Sequence, residues 1–381
     1  MTSKAALRAG MALTLAIGAA TGCSSGDDSG DGGNGGGSGN ASAEVEQAVE
    51  EFVQPPTSID ITEPLSRKPD EGKQIVVVES TEPTSLKTDE GLREAVEELG
   101  WTLEVVQEGT GPEDPAKAFD AAIDMSPDAI LISGNPLSTM RAQVERAKQE
   151  NIVVLQSDSG EPVGQDGSVY TLSLDSFEQT GLWGQMIADY VAVDGSKRAL
   201  IVDLSLYPIL HAFSEGAREE LEEVAPDTAV DVIDVQIQDF IAGSVPGRIV
   251  SEIQRNPDTD FVILSLGDMA TGLDAALRAA GLQDQVRIGG ESAGTANIEA
   301  LRDGTQHVFT GFAALIHGWH RADALARIFN GDPLDPNYES TLPTQLITQD
   351  NVADAPLDDE GYYVGVEDFR DQFGELWLLN G

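Results

Sequence analysis

Cysteine is all but absent: the 381 residues contain one, Cys23, so no disulfide can close within the chain. Histidine is scarce as well. His317 and His320 stand three apart but lack a nearby cysteine or a second pair, so no metal site and no cofactor are expected. Basic residues number 22 against 66 acidic ones, a formal net charge of -44. That deficit excludes nucleic acid and anionic lipid surfaces as partners, since both are gripped by Lys/Arg patches. The excess acid reads as a solubilising surface. The apolar run 11–20 is too short to span a bilayer. The glycine tract before Asn40 is no phosphate loop, because no strand precedes it and no Lys-Ser/Thr follows.

What the first residues do contain is a secretory signal: Lys4 and Arg8, the apolar run, then Ala20-Thr21-Gly22-Cys23. This resembles a bacterial lipobox, with Ala20 where leucine is usual. It implies a signal peptide over residues 1–22 and a diacylglycerol on Cys23. A lipidated N-terminus also explains an unpaired cysteine in an exported chain. Residues 23–72 read as a lipidated cysteine followed by a flexible tether. Within it, 41–53 carries the pattern of a short acidic helix, and the prolines from Pro55 to Pro69 predict an extended approach.

The folded region begins at Lys73 and is too long for one simple core, which favours two lobes. Short Val/Ile/Leu runs at 74–78, 102–106, 129–133, 152–155, 169–172, 199–204, 230–235, 261–266, 286–288 and 307–312 alternate with helix-length amphipathic stretches. Strands apolar on successive residues are buried on both faces, as in parallel sheets covered by helices. Repeated βα units give doubly wound sheets whose ligands sit at the carboxyl ends of the strands. The expected class is therefore α/β with two doubly wound, Rossmann-like lobes.

Several segments, in order, resemble one family. Residues 152–158 look like a strand delivering a ligand-binding aspartate, Asp158. Ser173-Leu174-Asp175-Ser176 looks like a first crossover between lobes. Gly267-Asp268-Met269-Ala270 resembles an Asn-Asp-x-Met-Ala segment, Ile288-Gly289-Gly290-Glu291 stands where Val-Gly-Phe-Asp is usual at a second crossover, and 346–352 looks like a closing strand. Together they resemble the type I periplasmic binding proteins, specifically the sugar-binding group related to ribose-binding proteins. The resemblance implies two lobes joined by a three-strand hinge. The first lobe is expected over 73–175 plus 292–312, the second over 176–291 plus 313–346, with a tail over 347–381 packing on both. It further implies an exported protein held at the outer face of the membrane by its lipid alone. Such a protein captures a small polar, sugar-like solute for an ABC transporter permease.

The chain departs from the family where the ligand would be read. Phe213 takes an arginine's place, Gly267 an asparagine's, Glu291 an aspartate's and Phe312 a glutamine's. The expected ligand contacts are Glu82, Thr84, Ser85, Gln156, Asp158, Ser159 and Asp268, with Glu291 across the cleft; Phe213, Phe240 and Phe312 offer stacking faces. Acids sharing a dry cleft repel unless compensated, so the missing arginine leaves room for an amine-bearing solute beside a neutral sugar.

Two other readings compete. A binding protein of the same shape can serve a signalling receptor instead of a transporter. Gly290-Glu291-Ser292-Ala293-Gly294 matches a nucleophile elbow, with Asp303 and His307, His317 or His320 as partners for an esterase. That fold needs further strands after the nucleophile, and only 307–312 directly follows, so no enzyme is expected.

Overall fold

The computed structural model describes residues 41–109, 111, 113–159, 161, 164–172, 177–334 and 342–379. Cys23, the signal and glycine tract, and the crossover Ser173-Leu174-Asp175-Ser176 lie outside them.

The apolar runs form two six-stranded sheets. The first holds β1 Gln74–Glu79, β2 Thr102–Gln107, β3 Ala129–Ser133, β4 Val153–Ser157, β5 Gly164–Asp166 and β6 Val169–Thr171, in the order β2-β1-β3-β4-β6-β5. The second holds β7 Arg198–Asp203, β8 Ala229–Asp234, β9 Phe261–Leu264, β10 Arg287–Gly290, β11 Val308–Thr310 and β12 Leu346–Thr348, in the order β12-β11-β10-β9-β7-β8. Among these strands only β5 with β6 and β11 with β12 pair antiparallel. In β1, Ile75 and Val77 enter one hydrophobic cluster while Val76 and Val78 enter another, so consecutive apolar residues are each used, one per face.

Among the described residues the α-helices are α1 Ala43–Phe52, α2 Pro83–Glu98, α3 Asp114–Asp124, α4 Arg141–Glu150, α5 Phe177–Asp194, α6 Pro208–Val224, α7 Ile237–Ile241, α8 Val245–Arg255, α9 Leu273–Ala280, α10 Thr295–Arg302, α11 Ala314–Asn330 and α12 Phe369–Leu376. Each has a local cause. For α2, Glu82 caps the first turn, Pro83 pre-sets its φ, and Gly100 at φ +70° follows the end.

The lobe boundaries differ from expectation. β11 pairs with β10 and β12, which puts 308–310 in the second sheet rather than the first lobe. Helix α11 lies on α2 of the first lobe: a Cβ on Gly318 would stand 2.2 Å from the Leu92 nitrogen and the Thr88 oxygen, and one on Gly91 2.2 Å from the Leu315 oxygen. Two glycines thus let two backbones touch, and the lobe membership expected for 308–310 and for α11 is exchanged. From β1 to β12 the described elements alternate between lobes three times, between β6 and α5, between β11 and α11, and between α11 and β12.

The tether expected to reach residue 72 is part of the folded body from residue 41. Val45, Ile59, Ile61 and Leu65 are buried in the main core. The Val53 carbonyl accepts from Gln345 Nε2 (2.7 Å) and Asn351 Nδ2 (3.0 Å), and the Glu63 carbonyl from Arg327 Nη2 (2.5 Å). The tail packs against the folded body. Trp377 stacks on Trp319 at 5.1 Å, and Tyr363 sits on Gly311, where a Cβ would come within 2.5 Å of its ring. Lys87 of α2 reaches Asp358 (2.8 Å) and Glu360 (2.9 Å) of the tail.

Candidate functional site

Doubly wound sheets bind ligands at the carboxyl ends of their strands. In the first sheet those ends deliver residues 80–82 after β1, 134–135 after β3 and Asp158-Ser159 after β4. In the second they deliver 204–207 after β7, 265–268 after β9 and 291–293 after β10. Glu82 and Asp268 are close enough across the lobes for one carboxylate to feel the other. Burial, then the charge of Glu82, raises the Asp268 carboxyl, although Asp268 keeps water contact.

The most elaborate group stands behind β4. Asp158, at φ +58°, accepts through Oδ2 from Ser133 Oγ, from Ser157 Oγ (2.9 Å) and from Arg321 Nη2 (2.5 Å). Arg321, on α11, also holds Ser133 Oγ (3.0 Å) and Asp89 Oδ1 (3.3 Å). Burial alone would raise Asp158, but the neighbouring His317 and Arg321 and the Ser133 hydroxyl outweigh it and hold the carboxyl well below its usual range. Burial drives His317 the other way, toward its neutral form, so Arg321 is the counterion. One guanidinium offsets the burial of two carboxylates unequally. Asp158 prevails, and Asp89, raised by burial against the pull of Arg321, moves up to about 6.

This arginine is the cation that the sequence reading found missing. It comes from α11 rather than α6, and it compensates Asp158, one of the three acids from which an amine-bearing solute followed. Its signal was present: α11 is buried from Ala314 to Arg327, and His317 and Arg321 share one face at i,i+4. Charges in a buried helix need partners.

Other expected contacts are redistributed. Glu82 caps α2, its carboxylate accepting from the amides of Thr84 (3.1 Å) and Ser85 (2.8 Å), so all three serve the helix start as well as the rim. Gln156 is fully buried and spends its amide on the Asn135 carbonyl (2.6 Å) and Thr171 Oγ1 (3.3 Å), inside the first lobe. Ser159 Oγ accepts from the Glu161 amide at 3.3 Å. Phe213 lies wholly in the second-lobe core, with no surface for a solute, because the α6 period puts it on the buried stripe with Ala217 and Leu221. Phe240 is half-buried in α7, just after edge strand β8. Glu291 is buried and accepts from Ser292 Oγ at 3.1 Å. Phe312, between β11 and α11, meets Trp183 and His317 edge to face, with ring centroids 6.1 and 5.7 Å away.

His211 was missed. It lies in the first turn of α6, half exposed, its Nδ1 2.6 Å from Oδ2 of buried Asp203 at the end of β7. It occupies the face of α6 opposite the Phe213 stripe.

Ser292 does adopt a left-handed φ of +53° between β10 and α10, as an elbow serine would. Its hydroxyl donates to Glu291, and its amide to Thr310 Oγ1 (3.0 Å). His307 Nδ1 accepts from the Ile288 amide (3.2 Å), while His317 faces Asp158 and His320 packs on Phe373. Among the described residues these contacts leave no histidine on the serine.

Two α/β sheets of mostly parallel strands, crossed three times by the chain, define the architecture of the type I periplasmic binding proteins. The chain belongs to the periplasmic binding protein domain family, whose model matches residues 75–333. A solute-binding protein of an Agrobacterium vitis ABC transporter, bound with α-D-tagatopyranose, is similar with a TM-score of 0.63 and 18% identity, over 76% of this chain and 99% of that one. The 5-methylthioribose transporter solute-binding protein of Thermotoga lettingae gives 0.61 and 19%, over 83% and 95%. A D-allose-bound solute-binding protein of Actinobacillus succinogenes gives 0.62 and 15%, over 74% and 99%. At such identities the likeness is one of fold. No curated relative matches the chain in sequence.

Proposed function

We propose that the protein is an exported solute-binding protein that captures a small, neutral, hydroxyl-rich compound, a sugar or close analogue, and delivers it to an ABC permease. The observation that carries this is Asp158. It is an ionised carboxylate at a strand end, compensated inside its own lobe by Arg321, and so able to accept hydroxyl bonds without demanding a cation from the ligand. An anionic solute would meet Glu82, Asp268 and Glu291. The solutes named for the three similar structures, tagatose, 5-methylthioribose and allose, are of this chemistry. The reading includes no catalytic step.

A thermal-shift screen of the signal-free protein tests it. A neutral sugar or polyol present at a hundred times its dissociation constant stabilises by about 2.7 kcal/mol. That should raise the melting temperature by several degrees. A response confined to amines or to organic acids would overturn the reading.

The lipid anchor on Cys23 belongs to the same proposal. It rests on the lipobox-like Ala20-Thr21-Gly22-Cys23 and on the want of any other use for the sole cysteine. No helix among the described residues is long and apolar enough to cross a membrane. Cys23→Ala should move the protein from the membrane to the soluble fraction, because an acidic chain has no second membrane signal. Retention of the variant after a salt wash would remove the anchor from the proposal.

A further inference from the structure

We propose that His317 is a specificity-determining contact of this site, reading one solute hydroxyl together with Oδ1 of Asp158. The inference rests on the cleft being the solute site. It starts from hydrogen-bonding capacity that the protein leaves unused. Asp158 Oδ1 and both ring nitrogens of His317 are buried and make no hydrogen bond. His317 Nε2 and Asp158 Oδ1 are 3.2 Å apart, a distance that would suit a bond, but the approach misses its geometry. Buried polar groups are nearly always satisfied, so an aspartate oxygen and an imidazole both unsatisfied, side by side, at a strand end, call for a third group.

The chemistry of that group follows from the two that face it. Asp158 is ionised and can only accept. A neutral imidazole carries one N–H and one lone pair, and burial pushes His317 toward that form. A hydroxyl satisfies both, donating to Oδ1 and accepting from the imidazole N–H. An ammonium can only donate, so it would use the imidazole lone pair and leave the N–H unread, and a carboxylate would face Oδ1 with like charge.

The position also couples the contact to the hinge. His317 stands in the first turn of α11, directly after the passage from β11, and its ring meets Phe312 in that passage edge to face. Phe312 in turn meets Trp183 of α5 on the second lobe, whose indole nitrogen is likewise buried without a partner. A hydroxyl held by His317 therefore lies one ring away from the joint between lobes.

The experiment uses the signal-free protein, His317→Phe and His317→Gln. The probes are D-allose, D-tagatose, D-ribose and myo-inositol, with mono-deoxy counterparts of whichever binds wild type best. Calorimetry should show at least a tenfold loss of affinity in His317→Phe. The amide of His317→Gln, a donor and an acceptor, should stay within a few-fold of wild type. In wild type one deoxy counterpart should lose at least tenfold, and that counterpart should bind His317→Phe and wild type alike. The unliganded melting temperature of His317→Phe should be unchanged or higher, because an unsatisfied polar ring is replaced by an apolar one; a merely structural histidine would lower it. If His317→Phe binds the sugars like wild type, or no single deoxy position matters, the inference fails while the solute reading stands. If wild type responds to none of the probes, the solute reading fails and takes the inference with it.

Discussion

Arg321→Met should cost about 3 to 5 kcal/mol of folding stability at neutral pH, the usual result of removing one partner from a buried ion pair. Methionine fills much of the volume, so the loss is electrostatic: Asp158 and Asp89 keep their burial and lose their only shared cation. The pH dependence separates this from a packing defect. In wild type the folded pKa of Asp158 is depressed, so its contribution is present above the unfolded value of about 3.9 and is lost as pH falls through the folded one. Asp89 runs the other way. Raised to about 6, it binds its proton more tightly in the folded state, and its share of stability falls as pH rises from about 4 through about 6. Without Arg321 both carboxyls are raised, so the deficit of the variant should grow between pH 4.5 and pH 7.5. Urea denaturation at those two values measures it. An equal deficit at both, or a loss below about 1 kcal/mol at pH 7.5, would show that Arg321 does not hold the pair.

How much of this was legible follows from what each signal depends on. The strands were, because runs such as Phe261–Leu264 are apolar at every position and only a doubly covered sheet can use them. Asp158 follows directly on the end of β4, a position that is legible because the end of an apolar run is a local feature. Phe213 was misread against a signal that was available: Phe213, Ala217 and Leu221 form an i, i+4, i+8 stripe, which is a core face. Arg321 lies 163 residues from Asp158, and their meeting depends on α11 returning from the second sheet to lie on α2. The pair Gly91 and Gly318 that permits that crossing gives no sign, in one sequence, of which glycine faces which. The exchanged lobe boundaries have the same root. Motif order marks strand ends, whereas lobe membership is decided by pairing, and β11 chose β10 and β12.

Trp377→Ala should be comparably damaging although it lies in a tail far along the chain from every strand end at the cleft. The indole is fully buried, stacked on Trp319 at 5.1 Å with planes 4° apart, and it adjoins Phe373 at 5.5 Å. Truncating a buried aromatic to alanine costs about 3 to 5 kcal/mol through lost transfer and a residual cavity. A polar penalty adds to that. Trp377 Nε1 donates to Asp323 Oδ1 at 2.7 Å, and Asp323 is itself fully buried, its other oxygen taking Arg327 Nε at 2.8 Å. The damage should spread, because Arg327 also holds the Glu63 carbonyl and the Leu376 carbonyl accepts the Leu65 amide at 2.9 Å. The N-terminal segment is thus fastened to α11 and α12 through the neighbours of one tryptophan. Amide hydrogen exchange should show residues 59–66 losing protection together with α12 in Trp377→Ala, while β1 and β3 open only with global unfolding. Trp377→Phe, which keeps the ring and drops the donor, should recover the packing share and leave a deficit of about 1 to 3 kcal/mol for the Asp323 oxygen. A Trp377→Ala protein within about 1 kcal/mol of wild type, or one in which residues 59–66 keep their protection, would mean that the tail rests on the lobes without holding the N-terminal segment in place.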